Sequence, residues 1–164
     1  MGRLDLDFEL DEVSDKRVLI PAGDYPGRLA SGEIAKGVSN DDKPWMRLVL
    51  QIVLKDEKIS QLTGQDEPMV FFKGFFSLDK KTGKFNKNNS PEVGQFVKAV
   101  RASSMEDYED GIEESDEYLV QLEKLFTNII NAHIGADLVV KVGIGKNSQT
   151  GDTLNVVKKI TALD

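Results

Sequence analysis

Cysteine is absent from this 164-residue chain, which excludes disulfide frameworks, cysteine-ligated zinc, iron–sulfur clusters and thiol nucleophiles together. The absence fits a reducing compartment. Histidine occurs once, at His133, so His-pair metal motifs are excluded as well, and no cofactor is expected. No apolar run approaches the ~18 residues of a membrane span. Met1 to Asp15 are acidic and lack the basic start and apolar core of a signal peptide. A single soluble, non-membrane domain with appendages is expected, long enough to bury a core without staples.

What the chain has in excess is acid. Its net charge is −7, which taken whole argues against nucleic acid, but the acids are partitioned. Residues 1–17 carry Asp5, Asp7, Glu9, Asp11, Glu12 and Asp15 against Arg3, Lys16 and Arg17, a balance of −3. Residues 105–117, MEDYEDGIEESDE, carry eight acids and no base, or −8. The remainder balances at +4, and residues 73–101 alone at +5. Charge here belongs to segments: a weakly basic body with two acidic additions.

Residues 1–18 read as an acidic arm in which Leu4, Leu6, Phe8 and Leu10 alternate with acids. That spacing suits docking elsewhere or adding a strand to a neighbouring subunit, so a homo-oligomer is left open. The turn signal Pro21-Ala22-Gly23-Asp24 opens the domain proper, residues 19–164. A first strand is expected over Tyr25–Ala35, with Gly27 and Gly32 marking a bend or bulge. The second, Trp45–Leu54, alternates cleanly: Met46, Leu48, Leu50, Ile52 and Leu54 face one way, Trp45, Arg47, Val49, Gln51 and Val53 the other. After a polar stretch, Lys55–Pro68, the run MVFFKGFFSL predicts a third strand, Met69–Leu78. Ser90-Pro91 predicts a helix N-cap and first turn, the helix reaching Ala102 with Val93, Phe96, Val97 and Val100 inward. A second helix is expected from a Ser115 cap to about His133, with Leu119, Leu122, Phe126 and Ile129 or Ile130 inward and Gly135 as its stop. Strands Asp137–Ile144 and Thr153–Ile160 close the chain as a hairpin.

Three strands, helical material, then two strands is the chain order of a five-stranded antiparallel OB-fold barrel with helices inserted between the third and fourth strands. The chain at this point resembles a family of bacteriophage single-stranded DNA-binding proteins with a single OB fold. The residues that carry the resemblance are Pro21-Ala22-Gly23-Asp24-Tyr25, Trp45-Met46-Arg47-Leu48, the stretch from Gly135 through Val142, and Asn155-Val156-Val157-Lys158. The resemblance implies a mainly β fold, binding of single-stranded DNA in phage replication or recombination, and location in the host cytoplasm. Many such proteins end in an acidic tail that recruits replication partners. Here Ile160 to Asp164 form no such tail, so that role, toward replication or recombination proteins, would move to residues 105–117.

Single-stranded nucleic acid asks for a basic groove along its phosphates and aromatic faces under its bases. Trp45, Arg47 and Gln51 offer both on one strand, with packing of Trp45 at the barrel's end as the alternative. Phe71, Lys73 and Phe75 repeat the pattern on the third strand, leaving Phe72 and Phe76 to the core, because four phenylalanines cannot all be exposed. Burial of Phe71 and Phe75 beneath the arm competes with a stacking role. Lys80, Lys81, Lys84 and Lys87 around Phe85 suit a mobile flap or a plain solvated loop. Arg28, Lys43 and Lys141 complete the candidate set. Lys158 and Lys159 alternate, so at most one is expected to join Lys141.

The acidic stretch reads either as a disordered insertion or as a mimic that folds back over the basic face or recruits a basic partner. Catalysis is not expected. Gly143-Ile144-Gly145-Lys146 lacks the spacing and the Ser/Thr of a phosphate loop, and Asp5-Leu6-Asp7-Phe8-Glu9 lacks the turn glycine of a calcium loop. A rival function is an OB-fold protein-interaction or virion adaptor working through the acidic segments. A DNA-mimic inhibitor is disfavoured by the +5 of residues 73–101.

Overall fold

The alternation of the second strand has a direct structural counterpart. In the structure, a computed structural model that describes residues 18–163, β2 (Pro44–Leu54) buries Met46, Leu48, Leu50, Ile52 and Leu54 almost completely. The expectations placed on residues 1–17 lie outside the described residues. β1 (Gly23–Val38) and β3 (Met69–Phe75) flank β2, and β3 alternates exposed and buried along its whole length. β4 (Asp137–Lys146) and β5 (Thr153–Ala162) form the closing hairpin.

All pairings are antiparallel, and the sheet order is β3-β2-β1-β4-β5. β1 is shared: Gly23–Arg28 pair with β4 and Gly27–Val38 with β2. The ladder is open, with β3 and β5 as its edges, although Cα atoms of the two come within 8 Å. A five-stranded antiparallel sheet is therefore established, and a closed barrel is not.

Two bulges set which residues share a face. β1 carries an extra residue, Ala30, between Leu29 and Ser31; beside it Leu29, in register with Ile52 of β2, also donates its N–H to the Ala136 carbonyl and accepts from the Gly135 N–H. Counting by twos from Arg28 therefore fails beyond Ala30; the outer residues are Ser31, Glu33, Ala35 and Gly37. The second bulge lies between Lys141 and Val142 of β4 and inserts Lys158 in β5.

Among the described residues, three α-helices accompany the sheet. α1 (Glu57–Thr63) falls in the stretch expected to be merely polar; Asp56 caps it by accepting from the Ile59 N–H, and Gly64 ends it at φ 71°. Its one buried residue, Ile59, gives too little periodicity to predict from. α2 (Pro91–Ala99) buries Val93, Phe96 and Ala99, and α3 (Tyr118–Ala132) buries Leu122, Phe126, Ile129 and Ile130. Both pack on the aliphatic side of the sheet, where Gly74 meets Glu92 of α2 and Gly32 meets Ile130 of α3.

Two expected caps differ. Ser90 stands at the N-cap of α2, but its buried hydroxyl accepts from the Ser77 N–H at 2.8 Å and donates to the Asn86 carbonyl at 2.9 Å, tying the β3–α2 connection to itself. Glu117, not Ser115, precedes α3, and its side chain makes no capping bond.

Candidate nucleic-acid interface

The sheet face opposite the core is built row by row from the registers of β1, β2 and β3. Gly37 pairs with Trp45; Ala35, Arg47 and Phe75 form the next row; then Glu33, Val49 and Lys73; then Ser31, Gln51 and Phe71. Beyond them lie Arg28, Val53 and Met69. Since α2 and α3 both occupy the other side, β3 presents Phe71 and Phe75 at 47% and 59% exposure. Exposed rings gathered on one face mark interaction surfaces on folded proteins. Phe72 and Phe76 are buried, as the alternation requires.

Trp45, Arg47 and Phe75 form one cluster. The indole and the Phe75 ring meet edge to face at 6.5 Å and 72°. The Arg47 guanidinium lies 6.0 Å from the Trp45 centroid and 5.8 Å from that of Phe75, within range of attraction to both rings. Trp45 is half-buried because its indole lies over Gly37, where an added Cβ would sit 2.7 Å from the ring. One side of the indole is thus held by β1, and Phe75 is the more open platform. The Arg47 Nε is buried without a hydrogen-bond partner among the described residues. An unsatisfied charged donor between two rings is costly.

The remaining candidates are spread around this cluster. Lys43 is exposed in the β1–β2 turn, where the Ser39 hydroxyl accepts from its N–H. Lys73 is exposed between Phe71 and Phe75, and Gln51 is half-buried beside Phe71. Lys80, Lys81, Lys84 and Lys87 are exposed beyond the Phe75 end of β3.

The loop that carries those lysines is not a free flap. Asp79 Oδ1 accepts from the N–H groups of Lys81 and Thr82, Gly83 turns at φ 71°, and Leu78 bridges to Phe85. These backbone donors hold the Asp79 carboxyl below the usual carboxylate range. Phe85 turns inward, edge to face with Phe76 at 5.3 Å and with Phe126 at 6.0 Å, and the Tyr118 hydroxyl accepts from its N–H. Its ring thus belongs to the core margin and not to the open face.

Arg28 and Lys141 lie toward the other end of β1 and do not join the aromatic cluster. Arg28 approaches Glu67 at 3.6 Å, and Lys141 pairs across β1 with Asp24. The alternation of the sequence missed Glu33, an exposed acid two strands from Lys73 on the same face. The glycine-marked bulge was the only signal that could have placed it there.

The acidic stretch is packed on α3 rather than on this face. Asn128 donates to the carbonyls of Tyr108 and Asp110, Lys124 donates to Gly111 and Asp116, and Tyr108 pairs with His133 at 2.9 Å. The Lys124 ammonium, with the Glu113 N–H, holds the Asp116 carboxyl low. This anchoring replaces the expectation of a disordered insertion, or of one folded back over the sheet.

Fold and face together define a mainly β protein with an open aromatic and basic sheet surface. No protein-family model matches this chain, and no curated protein matches it in sequence. Among the described residues no helix is long and apolar enough to cross a membrane, and no group of acids and histidines is placed to hold a metal ion.

Proposed function

We propose that this chain binds single-stranded DNA without strong sequence preference, as a phage-type OB protein of replication or recombination in the host cytoplasm. The proposed activity is binding, with no catalytic step. The carrying observation is the face, left uncovered by the described residues, on which Phe71 and Phe75 flank Lys73 beside the Trp45–Arg47 pair. Rings of this kind accept any base, at ~1–3 kcal/mol each, and the cations take the phosphates. The strand order, with β1 shared between two halves and β3 close to β5, supports an OB-type barrel parted along that seam.

Titration with oligothymidine tests the reading through the fluorescence of Trp45, the only tryptophan. Quenching with an affinity that falls steeply with salt is expected. Unchanged fluorescence together with no gel shift at low salt refutes it. Residues 105–117 would serve a basic partner protein of the replication or recombination machinery, since their outer carboxylates, among them Glu106, Asp107, Glu109 and Glu113, remain exposed on a fixed support.

A further inference from the structure

Outside the aromatic cluster, one charged patch stands out for how it is made. In regular alternation Lys158 and Lys159 would point to opposite faces of β5. The bulge removes that constraint: Lys159 pairs with Lys141 on the outer face, and Lys158 is the inserted residue. The stem of Lys158 then lies along the outer side of Gly143, where an added Cβ would come within 2.6 Å of its Cε. Gly143 is buried by that stem, and the three lysines are exposed on one side of the hairpin. Lys141 faces Asp24 on β1 and Lys159 on β5, so a single acid in register with it stands against three cations, and like charges directly across a ladder are destabilising.

The surroundings say what the patch can hold. Val139, Thr161, Gly143, Val156 and Gly145 share the outer face of β4 and β5, and none offers a ring for a base. Arg28 sits between the patch and the Phe71 row on the same continuous face, since β1 pairs with β4 at one end and β2 at the other. We infer that Lys141, Lys158 and Lys159 form a phosphate-binding site for the sugar–phosphate backbone of the strand whose bases stack at Phe71 and Phe75. This deepens the single-stranded DNA reading and rests on it. The strand runs from the aromatic end of β1 past Arg28 to the hairpin, and its bases are free over the lysines.

The test compares the wild type, Lys158→Gln/Lys159→Gln, Lys158→Arg/Lys159→Arg and Phe75→Ala. Each is titrated with an oligothymidine and with an abasic deoxyribose–phosphate oligomer of the same length, at about 25 and about 200 mM salt, with thermal melting as the check on folding. Each lost phosphate contact lowers the salt slope by ~0.7. The double glutamine variant should therefore lose about 20-fold less affinity than the wild type across that salt range. The arginine variant should restore the wild-type slope, and Trp45 quenching at saturation should not change.

The abasic oligomer should respond to the lysine substitutions and not to Phe75→Ala. An unchanged slope in a folded glutamine variant overturns the inference while leaving the DNA reading intact. Lysine-dependent binding of the abasic oligomer without Trp45 quenching by oligothymidine overturns the base-stacking part of the DNA reading and leaves a phosphate site. Binding of neither oligomer at low salt overturns both.

Discussion

Truncating Phe75 to alanine separates a binding role from a structural one, because so little of that ring is used by the fold. At 59% exposure, roughly 80 Å² of the ~200 Å² such a residue carries is covered. At ~25 cal/mol/Å² that burial is worth about 2 kcal/mol as an upper figure. The edge contact with Trp45 is within that area, and the Arg47 contact adds ~0.5–1 kcal/mol. Phe75→Ala should therefore lower stability by at most about 3 kcal/mol, which urea unfolding followed by Trp45 fluorescence reads directly. Loss of a stacking platform costs ~1–3 kcal/mol per base, or about 5- to 150-fold in the affinity for oligothymidine. Phe75→Tyr, which keeps a ring, should bind nearly as the wild type. A folded Phe75→Ala protein that binds oligothymidine within about twofold of the wild type would refute the stacking argument, since Phe75 is the most open ring on the face.

Three further outcomes follow from particular contacts. Ser90→Ala leaves the Ser77 N–H without its acceptor in a buried setting and should cost about 1–3 kcal/mol in urea unfolding, with Ser90→Thr less damaging. Burial holds the His133 imidazole below its usual pKa of 6.5, so on acidification the unfolded chain takes up that proton first. Stability should fall as pH drops below ~6.5 toward the folded-state pKa, and His133→Gln should flatten that part of the pH profile of the urea midpoint. Gly37→Ala brings a methyl within 2.7 Å of the Trp45 ring and should displace the indole, shifting its emission and weakening oligothymidine binding; an unchanged spectrum counts against the described seat of Trp45.

The sheet was legible because its strands are amphipathic at period two. In β2 and β3 the residues alternate between the aliphatic core and the outer face, so Met46 through Leu54 and Val70 through Phe76 declare their sides in the sequence, although Val53 is buried on the outer side. Illegible parts arose where that count slips or where one contact decides. Ala30 shifts β1 by a residue and brings Glu33 to the face; the insertion of Lys158 brings a third lysine to the hairpin. Phe85 has the composition of a flap residue, and only the position of Phe126 on α3, far along the chain, shows that its ring has a core partner. α1 rests on one buried side chain and a pair of caps, a signal shorter than any periodicity.

The net charge of −7 acquires a spatial meaning from α3. A mimic competing for the basic face would need to leave α3, and leaving it gives up the Asn128, Lys124 and His133 contacts at once. Several of those bonds end on backbone carbonyls of the acidic stretch, so they hold the path of the chain whatever its side chains do. The carboxylates therefore remain outward on one support, and the aromatic face on another. Between exposed charges, interaction is largely screened beyond ~8 Å at physiological salt and reaches ~30 Å only near 0.01 M. On the proposed reading, the acids would therefore depress DNA binding at very low salt without governing it under ordinary conditions. What they would add at ordinary salt, on the same reading, is a fixed acidic surface on α3, apart from the aromatic face, for a basic partner to engage while the strand is bound.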